Sequence, residues 1–370
     1  MVKATLVKDK SFTVIMDKYL SDKFKAISFF NIIMVVYLHS YNLIVKMNDD
    51  IAVIDKGYNS FIQEFVSKGI ARVSVSTFFL ISGYLFFTRI ENSVKSFFDK
   101  FKKRFHTILL PYLFWSIFGV LFYLTFQSIP MFKGFFTNEL ISDYSNIELL
   151  RVIFIKPIPY QLWFMRDLMV LVLLSPLFFF CITRSNWLIL IPFFIFWFLN
   201  FDLLFITSGS LLFFNTGAFL SLKKVNIRKS NWNGNFYILP IIWIFIIFFK
   251  ILVPYCGDDN SYLVVFLDKI SVLIGVFSIW ILYDLWSKKN EISKLKIYCL
   301  FEFTFFIYVS HEPILTIYKK VLYYCLGKTE NTSFFIYIIA PILTVFSAVL
   351  TGYFLKRYFS KFYFFVTGDR

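Results

Sequence analysis

The sequence predicts an all-α, polytopic membrane protein, and three observations carry that prediction. Hydrophobic residues make up 58% of the 370 residues and charged residues only 16%, whereas a soluble domain carries about 25% charged residues. Apolar stretches of about 20 residues, the length that a helix needs to cross a bilayer, recur along almost the whole chain. Lys and Arg are concentrated in alternate connections between these stretches. A chain with this pattern crosses a membrane many times.

Ten apolar stretches are placed as membrane-spanning helices. They lie near residues 26–45, 69–88, 107–128, 162–183, 187–206, 209–222, 236–255, 268–286, 298–318 and 333–355. With the N-terminus inside, the inner connections hold most of the 38 Lys and Arg residues. The positive-inside rule then places both termini in the cytoplasm. We expect a cytoplasmic segment (1–25), one transmembrane domain (26–356) and a cytoplasmic tail (357–370).

The net charge of +15 follows this topology and does not indicate a nucleic-acid partner. Because the basic residues border the predicted inner face, they meet anionic lipids and cytosolic solutes. The lysine-rich first 25 residues show no cleavable signal pattern, so the first span is expected to act as a signal-anchor. We expect a multi-pass protein of the inner (plasma) membrane.

The four cysteines show no metal-binding spacing. Cys181, Cys256, Cys299 and Cys325 form no CxxC pair, and no zinc or haem motif is present, so no metal is expected. Cys256 and Cys325 both fall on the predicted outer side, which leaves a bond between them open. The preferred interpretation is that the cysteines are buried small hydrophobes.

Ionisable side chains in four predicted spans converge on one depth. An ionisable group inside a bilayer is expensive and by default marks a functional site. His39, one of three histidines, lies roughly 20 Å along the first span, in the outer third of a core about 30 Å thick. Three other spans bring further polar side chains to the same level: Arg72, Trp163, Arg166, Asp167, His311 and Glu312. The sequence therefore predicts that these residues border one cavity.

Each of these residues also has a purely structural interpretation. The two arginines could extend to outer headgroups, and His39 could be a hydrogen-bonded packing residue. His311 lies beside Pro313 and could satisfy a carbonyl that a kink sets free, while Glu312 could point to headgroups. All four explanations must hold together to dismiss the layer, so a functional site is preferred.

Three further features lie outside this layer. Ser28 is three turns before His39 and shares its helix face, with Lys25 close to that face at the cytoplasmic boundary. The inner basic loop that contains Lys102, Lys103 and Arg104 is either a topology signal or a site for the phosphates of a cytosolic molecule. The small pair Ser82-Gly83 predicts close helix packing.

Five segments in chain order together resemble the acyltransferase-3 family of bacterial integral-membrane O-acyltransferases. The five segments are spread over most of the chain. In order, they resemble the family's histidine motif in the first helix, its second-helix signature, its basic loop and two later signatures. The segments are Val35–Ser40, Arg72–Tyr84, Lys103–Tyr112, Leu162–Leu168 and Phe305–Pro313.

The resemblance implies ten helices around a shared site, with His39 as the catalytic histidine. Many members transfer acetyl groups to surface polysaccharides, and the implied donor is cytosolic acetyl-CoA. The family commonly has an arginine where this chain has Ser28. Lys25, one turn lower, would replace it only in part, because lysine lacks the bidentate fork of arginine.

We interpret the chain as a membrane O-acyltransferase acting on a cell-surface glycan or its lipid-linked precursor. In this interpretation His39 removes a proton from a sugar hydroxyl while Asp167 orients the ring. Arg72 or Arg166 stabilises the oxyanion, and His311 supports the layer. The alternative is an exporter of a glycan or lipid-linked oligosaccharide, in which the same charged layer is a translocation site.

Overall fold

The computed structural model of the chain describes residues 18–47, 50–53, 57–130, 140–203, 206–228, 237–255, 261–287 and 291–369. Its helices are α1 Lys18–Ser40, α2 Tyr58–Gln63, α3 Val73–Phe87, α4 Val94–Arg104, α5 Leu110–Ser128, α6 Asn146–Phe154, α7 Trp163–Leu173, α8 Ser175–Ser185, α9 Leu190–Phe198, α10 Ser208–Leu222, α11 Ile238–Tyr255, α12 Ser261–Ser287, α13 Thr304–Leu326, α14 Glu330–Tyr358 and α15 Ser360–Thr367. One antiparallel hairpin, β1 Ile44–Met47 with β2 Asp50–Val53, follows α1. The predicted helical class is confirmed, and the hairpin is an addition that hydropathy alone did not indicate.

Within the described residues, five helical stretches are long and apolar enough to cross a membrane. They are Tyr58–Phe87, Val94–Ser128, Ser175–Phe198, Tyr262–Ser287 and Glu330–Tyr358. Each of the ten predicted spans contains a helix, but α9 and α10 are shorter than the roughly 20 residues that a perpendicular crossing requires. The number of ten crossings, the sidedness of the termini and the division into three segments stay predictions, and residues 1–17 lie outside the described part.

Two of these stretches change helical type along their length. Between α2 and α3 the chain passes through a π-helical turn at Glu64–Gly69 and a 3-10 turn at Ile70–Arg72. Between α4 and α5 it passes through a π-helical turn at Phe105–Leu109. The basic residues Lys102 and Lys103 therefore lie on a helix, and the prediction of a loop there is wrong. The π-helical turn joins α4 to α5 without a break in the helical backbone.

The small pair at Ser82-Gly83 allows α3 and α10 to cross in close contact. A Cβ atom on Gly83 would lie 2.0 Å from the Phe214 carbonyl oxygen, and one on Gly217 would lie 2.0 Å from that of Leu80. Only glycine leaves room for backbones at this separation. The packing interpretation of this motif is thus supported by the structure.

The core lies around α1, which packs against α3, α12, α13 and α14. Ile27, Ile32 and Val36 of α1 are buried. By contrast, α8, α9 and α11 present large apolar side chains outward, such as Ile241 at 68% exposure. An apolar outer surface of this extent requires lipid around it.

The described cysteines are free thiols. Cys299 and Cys325 are exposed and Cys181 is half-buried. The interpretation as buried small hydrophobes is therefore wrong for the two exposed residues. Cys256 lies outside the described residues.

Candidate active site

A cavity of about 420 Å³ extends along α1, and we call it the α1 cavity. Its lining residues on α1 run from Ser21 to His39, a rise of about 27 Å at 1.5 Å per residue. Lys25 and Arg104 lie toward one end, which we call the basic end. His39 defines the other, the histidine end. One cavity therefore joins a cationic region to an imidazole across most of the length of α1.

His39 is held by packing. Its ring stacks on the His311 ring, with 5.4 Å between centroids and 18° between planes, and meets the edge of the Tyr160 ring at 4.8 Å. Lys319 Nζ donates to the His39 carbonyl oxygen at 2.7 Å, which satisfies one of the orphan carbonyls at the end of α1. Among the described residues no side chain hydrogen-bonds the His39 imidazole, so its nitrogens are available to a substrate.

His311 is fully buried and has a defined tautomer. Its Nδ1 lies 2.8 Å from the Tyr308 carbonyl oxygen and 3.2 Å from that of Ile307. Because a carbonyl only accepts, Nδ1 carries the proton and Nε2 has a lone pair. Within the described part of the chain, Nε2 is buried without a hydrogen-bond partner. Because His311 does not line the α1 cavity, the structure supports a role in packing against His39.

Pro313 explains the local break in α13. Proline has no N–H, so the carbonyl of Val309 loses its helical donor. Gln161 Nε2 takes that place at 3.3 Å and also donates to the Glu312 carbonyl oxygen at 3.2 Å. The structural interpretation of His311 is therefore supported in part: His311 bonds the carbonyls of Ile307 and Tyr308 just before the kink, whereas Gln161 satisfies the Val309 carbonyl that Pro313 leaves without a donor.

Glu312 is turned inward, and the expectation that it could reach headgroups is wrong. Its side chain is buried and its backbone angles are non-helical. Tyr160 Oη donates to Glu312 Oε1 at 3.2 Å, and Thr316 Oγ1 donates to Oε2 at 2.8 Å. The carboxylate thereby fixes the tyrosine whose ring edge contacts His39. Tyr160 was missed in the sequence, although its position three residues before Trp163 was a usable signal.

Asp167 does not reach His39. Its Oδ1 accepts from Arg166 Nη2 at 2.8 Å, and its Oδ2 accepts from Thr207 N at 3.1 Å and Ser210 Oγ at 3.3 Å. Arg166 Nη1 also donates to the Ile155 carbonyl oxygen at 2.7 Å. These bonds join α7 to the start of α10 and the end of α6. The prediction that Asp167 orients the His39 ring is therefore wrong.

Arg72 lies on another side of the bundle. Its side chain is 54% exposed, and Nη2 lies 3.3 Å from Asp268 Oδ2. The same carboxylate pairs with Lys250 at 2.8 Å. Arg72 and Arg166 do not line the α1 cavity, so the prediction of one cavity bordered by the whole layer is wrong. Helix rise gives a residue's depth, whereas helix rotation decides which space it faces.

The basic end contains only part of the predicted donor set. Lys25, Ser28 and Arg104 line the α1 cavity, as does Trp163 near the histidine end. Lys25 Nζ donates to Tyr298 Oη at 3.3 Å. The sequence also predicted Lys102 and Lys103, but these side chains are exposed and do not line the cavity. Among the described residues, no group of three His, Cys, Asp or Glu side chains is placed to hold a metal ion.

Comparison with known proteins agrees with this arrangement. A family model described as an acyltransferase domain matches residues 27–353, which include His39, Arg104 and His311. The succinoglycan biosynthesis protein ExoH of Rhizobium meliloti (strain 1021) is 23% identical over 323 residues, 85% of this chain and 84% of the relative. No solved structure matches the chain significantly. The chain therefore belongs to the acyltransferase-3 family of integral-membrane O-acyltransferases.

Proposed function

We propose that this protein transfers an acyl group, acetyl in the first instance, from cytosolic acyl-CoA to a hydroxyl of a cell-surface polysaccharide or its lipid-linked precursor. The observation that carries the proposal is the α1 cavity, which joins Lys25 and Arg104 to His39. The basic end faces the cytoplasm of the inner membrane in this proposal, in agreement with the positive-inside distribution of Lys and Arg. The polysaccharide acceptor is supported by the relative ExoH, which is a succinoglycan biosynthesis protein.

The basic end is suited to hold the phosphates of the donor. The guanidinium of Arg104 and the ammonium of Lys25 are complementary to phosphate groups. About 21 Å of helix rise separates Lys25 from His39, and the lining between them includes Phe78, Phe164 and Ser82. A thin, mostly apolar passage of this kind accepts the extended arm of acyl-CoA and excludes bulk water. The thioester then meets His39 while the nucleotide stays at the basic end.

His39 acts as the base. Its free nitrogen takes the proton of the acceptor hydroxyl while the hydroxyl oxygen bonds to the thioester carbonyl carbon. When the tetrahedral intermediate breaks its C–S bond, the imidazolium returns the proton to the leaving thiolate. The products are the O-acyl ester and free CoA. An alternative order, in which His39 first carries the acyl group, uses the same residues.

The neighbours of His39 have separate roles in this proposal. His311 does not line the α1 cavity, and its ring supports the His39 ring by stacking on it. Tyr160 and Glu312 hold the ring in place. Lys319 holds the end of α1 through its hydrogen bond to the His39 carbonyl. Like Arg72 and Arg166 it does not line the α1 cavity, so none of the three is assigned to the oxyanion.

A donor titration with matched double variants tests the proposal. Lys25→Gln with Arg104→Gln should raise the apparent KM for acetyl-CoA at least tenfold, since hydrogen bonds to charged groups contribute about that factor each. Lys102→Gln with Lys103→Gln removes the same charge from side chains outside the cavity and should change KM little. Equal effects of the two pairs would show that the cavity does not select the donor.

Mass spectrometry of the surface glycan distinguishes this function from export. Cells that lack the protein should retain the polymer and lose acyl mass. Loss of the whole polymer would instead support a translocation role.

A further inference from the structure

A second cavity, of about 390 Å³, lies beside the first turn of α7 and is separate from the α1 cavity. Its lining includes three cations, Arg151, Lys156 and Arg166, and one carboxylate, Asp202. Asp202 Oδ1 already accepts from Ser208 N at 2.8 Å and Ser208 Oγ at 2.9 Å. The charges that line this cavity therefore favour an anionic ligand.

The wall of the second cavity is held in place by hydrogen bonds at the end of α6. Ser116 Oγ donates to the Ile153 carbonyl oxygen at 2.8 Å, and Tyr112 Oη donates to that of Phe154 at 3.0 Å. At the other end of α6, Ser145 and Glu148 form a capping box. The short helix that carries Arg151 is thus fixed at both ends, so the cations are preorganised.

The outer face of α6 is typical of a helix that lies in a membrane interface. Ile147, Leu150 and Phe154 are 79%, 57% and 52% exposed, and they share one face with Arg151. An exposed apolar face enters the acyl region, while an arginine on it extends to the headgroups. The second cavity therefore opens at headgroup depth, where the accessible anions are phosphate esters on lipids.

One turn of α7 connects the two cavities. Trp163 lines the α1 cavity and Arg166 lines the second one, with about 4.5 Å of helix rise between them. The segment from Lys156 leads within four residues to Tyr160, whose ring touches His39. Four residues span at most about 14 Å, so a sugar linked to a phosphate in the second cavity would be within reach of His39.

We propose that the second cavity binds the phosphate group of a membrane-embedded lipid, and that a lipid-linked glycan held there presents its sugar to His39. Arg166 already binds Asp167 and the Ile155 carbonyl, so Arg151 and Lys156 are the main donors to a ligand. Phosphate is preferred to carboxylate because its oxygens can accept from a guanidinium and an ammonium together. The first half of the proposal is independent of the acyltransferase mechanism, and the second half rests on the proposed function.

Binding of geranylgeranyl diphosphate to the full chain in phosphatidylcholine nanodiscs, without acyl donor and at low ionic strength, tests the first half. Arg151→Gln with Lys156→Gln should weaken binding tenfold or more. Arg184→Gln with Lys223→Gln, which removes two exposed cations elsewhere, should leave it unchanged. His39→Ala should also leave it unchanged, so failure of the catalytic proposal does not affect this measurement.

Three outcomes would overturn the proposal in whole or in part. Geranylgeraniol binding as tightly as its diphosphate would show that the phosphate is not recognised. Unchanged affinity in the Arg151/Lys156 variant, with its melting temperature retained, would place the phosphate elsewhere. Loss of diphosphate binding when phosphatidylglycerol replaces phosphatidylcholine would assign the cavity to bilayer phospholipid and overturn the glycan half.

Discussion

Helices α1 and α13 differ from helices α9 and α11 in what surrounds them. Asp22, Lys23 and Asn31 of α1 and His311 of α13 are buried by neighbouring helices. On α9 and α11, apolar side chains are exposed over much of the surface. The first pair carries polar groups inside the protein, and the second pair carries apolar groups toward lipid.

This difference shows why hydropathy is a poor guide to the site in such a protein. The five stretches apolar enough to span a membrane by composition do not include α1 or α13. Both helices carry ionisable residues that only a protein environment tolerates. Two helices that carry the candidate site therefore lie outside the set that length and hydropathy select.

Among the buried polar helices α1 and α13, the largest expected effect on activity comes from a substitution of His39. His39→Ala should reduce acyl transfer by about a hundred- to ten-thousand-fold, the contribution of a general base, while membrane insertion stays normal. Glycan acylation in cells with equal membrane levels measures it. His106→Ala is the matched control, because His106 is exposed in the π-helical turn between α4 and α5 and should not affect acyl transfer. Full acylation by His39→Ala would remove the basis of the proposed mechanism.

The next effect concerns the stability of α1. Lys23 Nζ and Asp284 Oδ1 are 2.6 Å apart with side-chain exposures of 0% and 3%, and Lys23 lies over the Trp280 ring. Asp284→Leu leaves a buried charge unpaired and should lower the free energy of unfolding by about 3–5 kcal/mol. Adding Lys23→Leu should restore most of the lost free energy of unfolding. Thermal melting in detergent compares the single with the double variant, and an equal loss of stability in both would contradict the pairing.

A smaller effect is expected where α10 crosses α3. Gly217→Ala puts a Cβ atom 2.0 Å from the Leu80 carbonyl oxygen, so the helices must separate at a cost of about 1–3 kcal/mol. Gly209→Ala on the same helix meets its nearest neighbour, Trp197, at 3.4 Å and should melt like the wild type. Similar melting temperatures for both variants would show that the crossing is not close.

The smallest effect is expected on the lipid side. Ile241→Ala changes a side chain that is 68% exposed on α11, and its effect on stability should stay within about 0.5 kcal/mol. Ile247→Ala on the same helix empties a fully buried position and should lower the melting temperature clearly. If Ile241→Ala proved as harmful as Ile247→Ala, the outer face of α11 would be a protein contact.

Prediction from the sequence was successful for features that depend on local composition. The helical segments and the close helix crossing at Gly83 follow from hydropathy and residue size, while the catalytic role of His39 stays a prediction. Prediction from the sequence was unsuccessful for the contacts between particular side chains. Asp167 was expected to orient His39, yet its carboxylate binds Arg166 and the start of α10.

The sequence by itself determined the class of protein, the family and the depth of each polar residue, because helix rise converts residue number into height. Tertiary structure alone decided which residues at one height share a space. Arg72 and His39 are predicted at similar depth, but rotation about the helix axes puts Arg72 beside Asp268 and His39 between Tyr160 and His311. That rotation depends on how neighbouring helices pack, which distant segments determine together and no local pattern records.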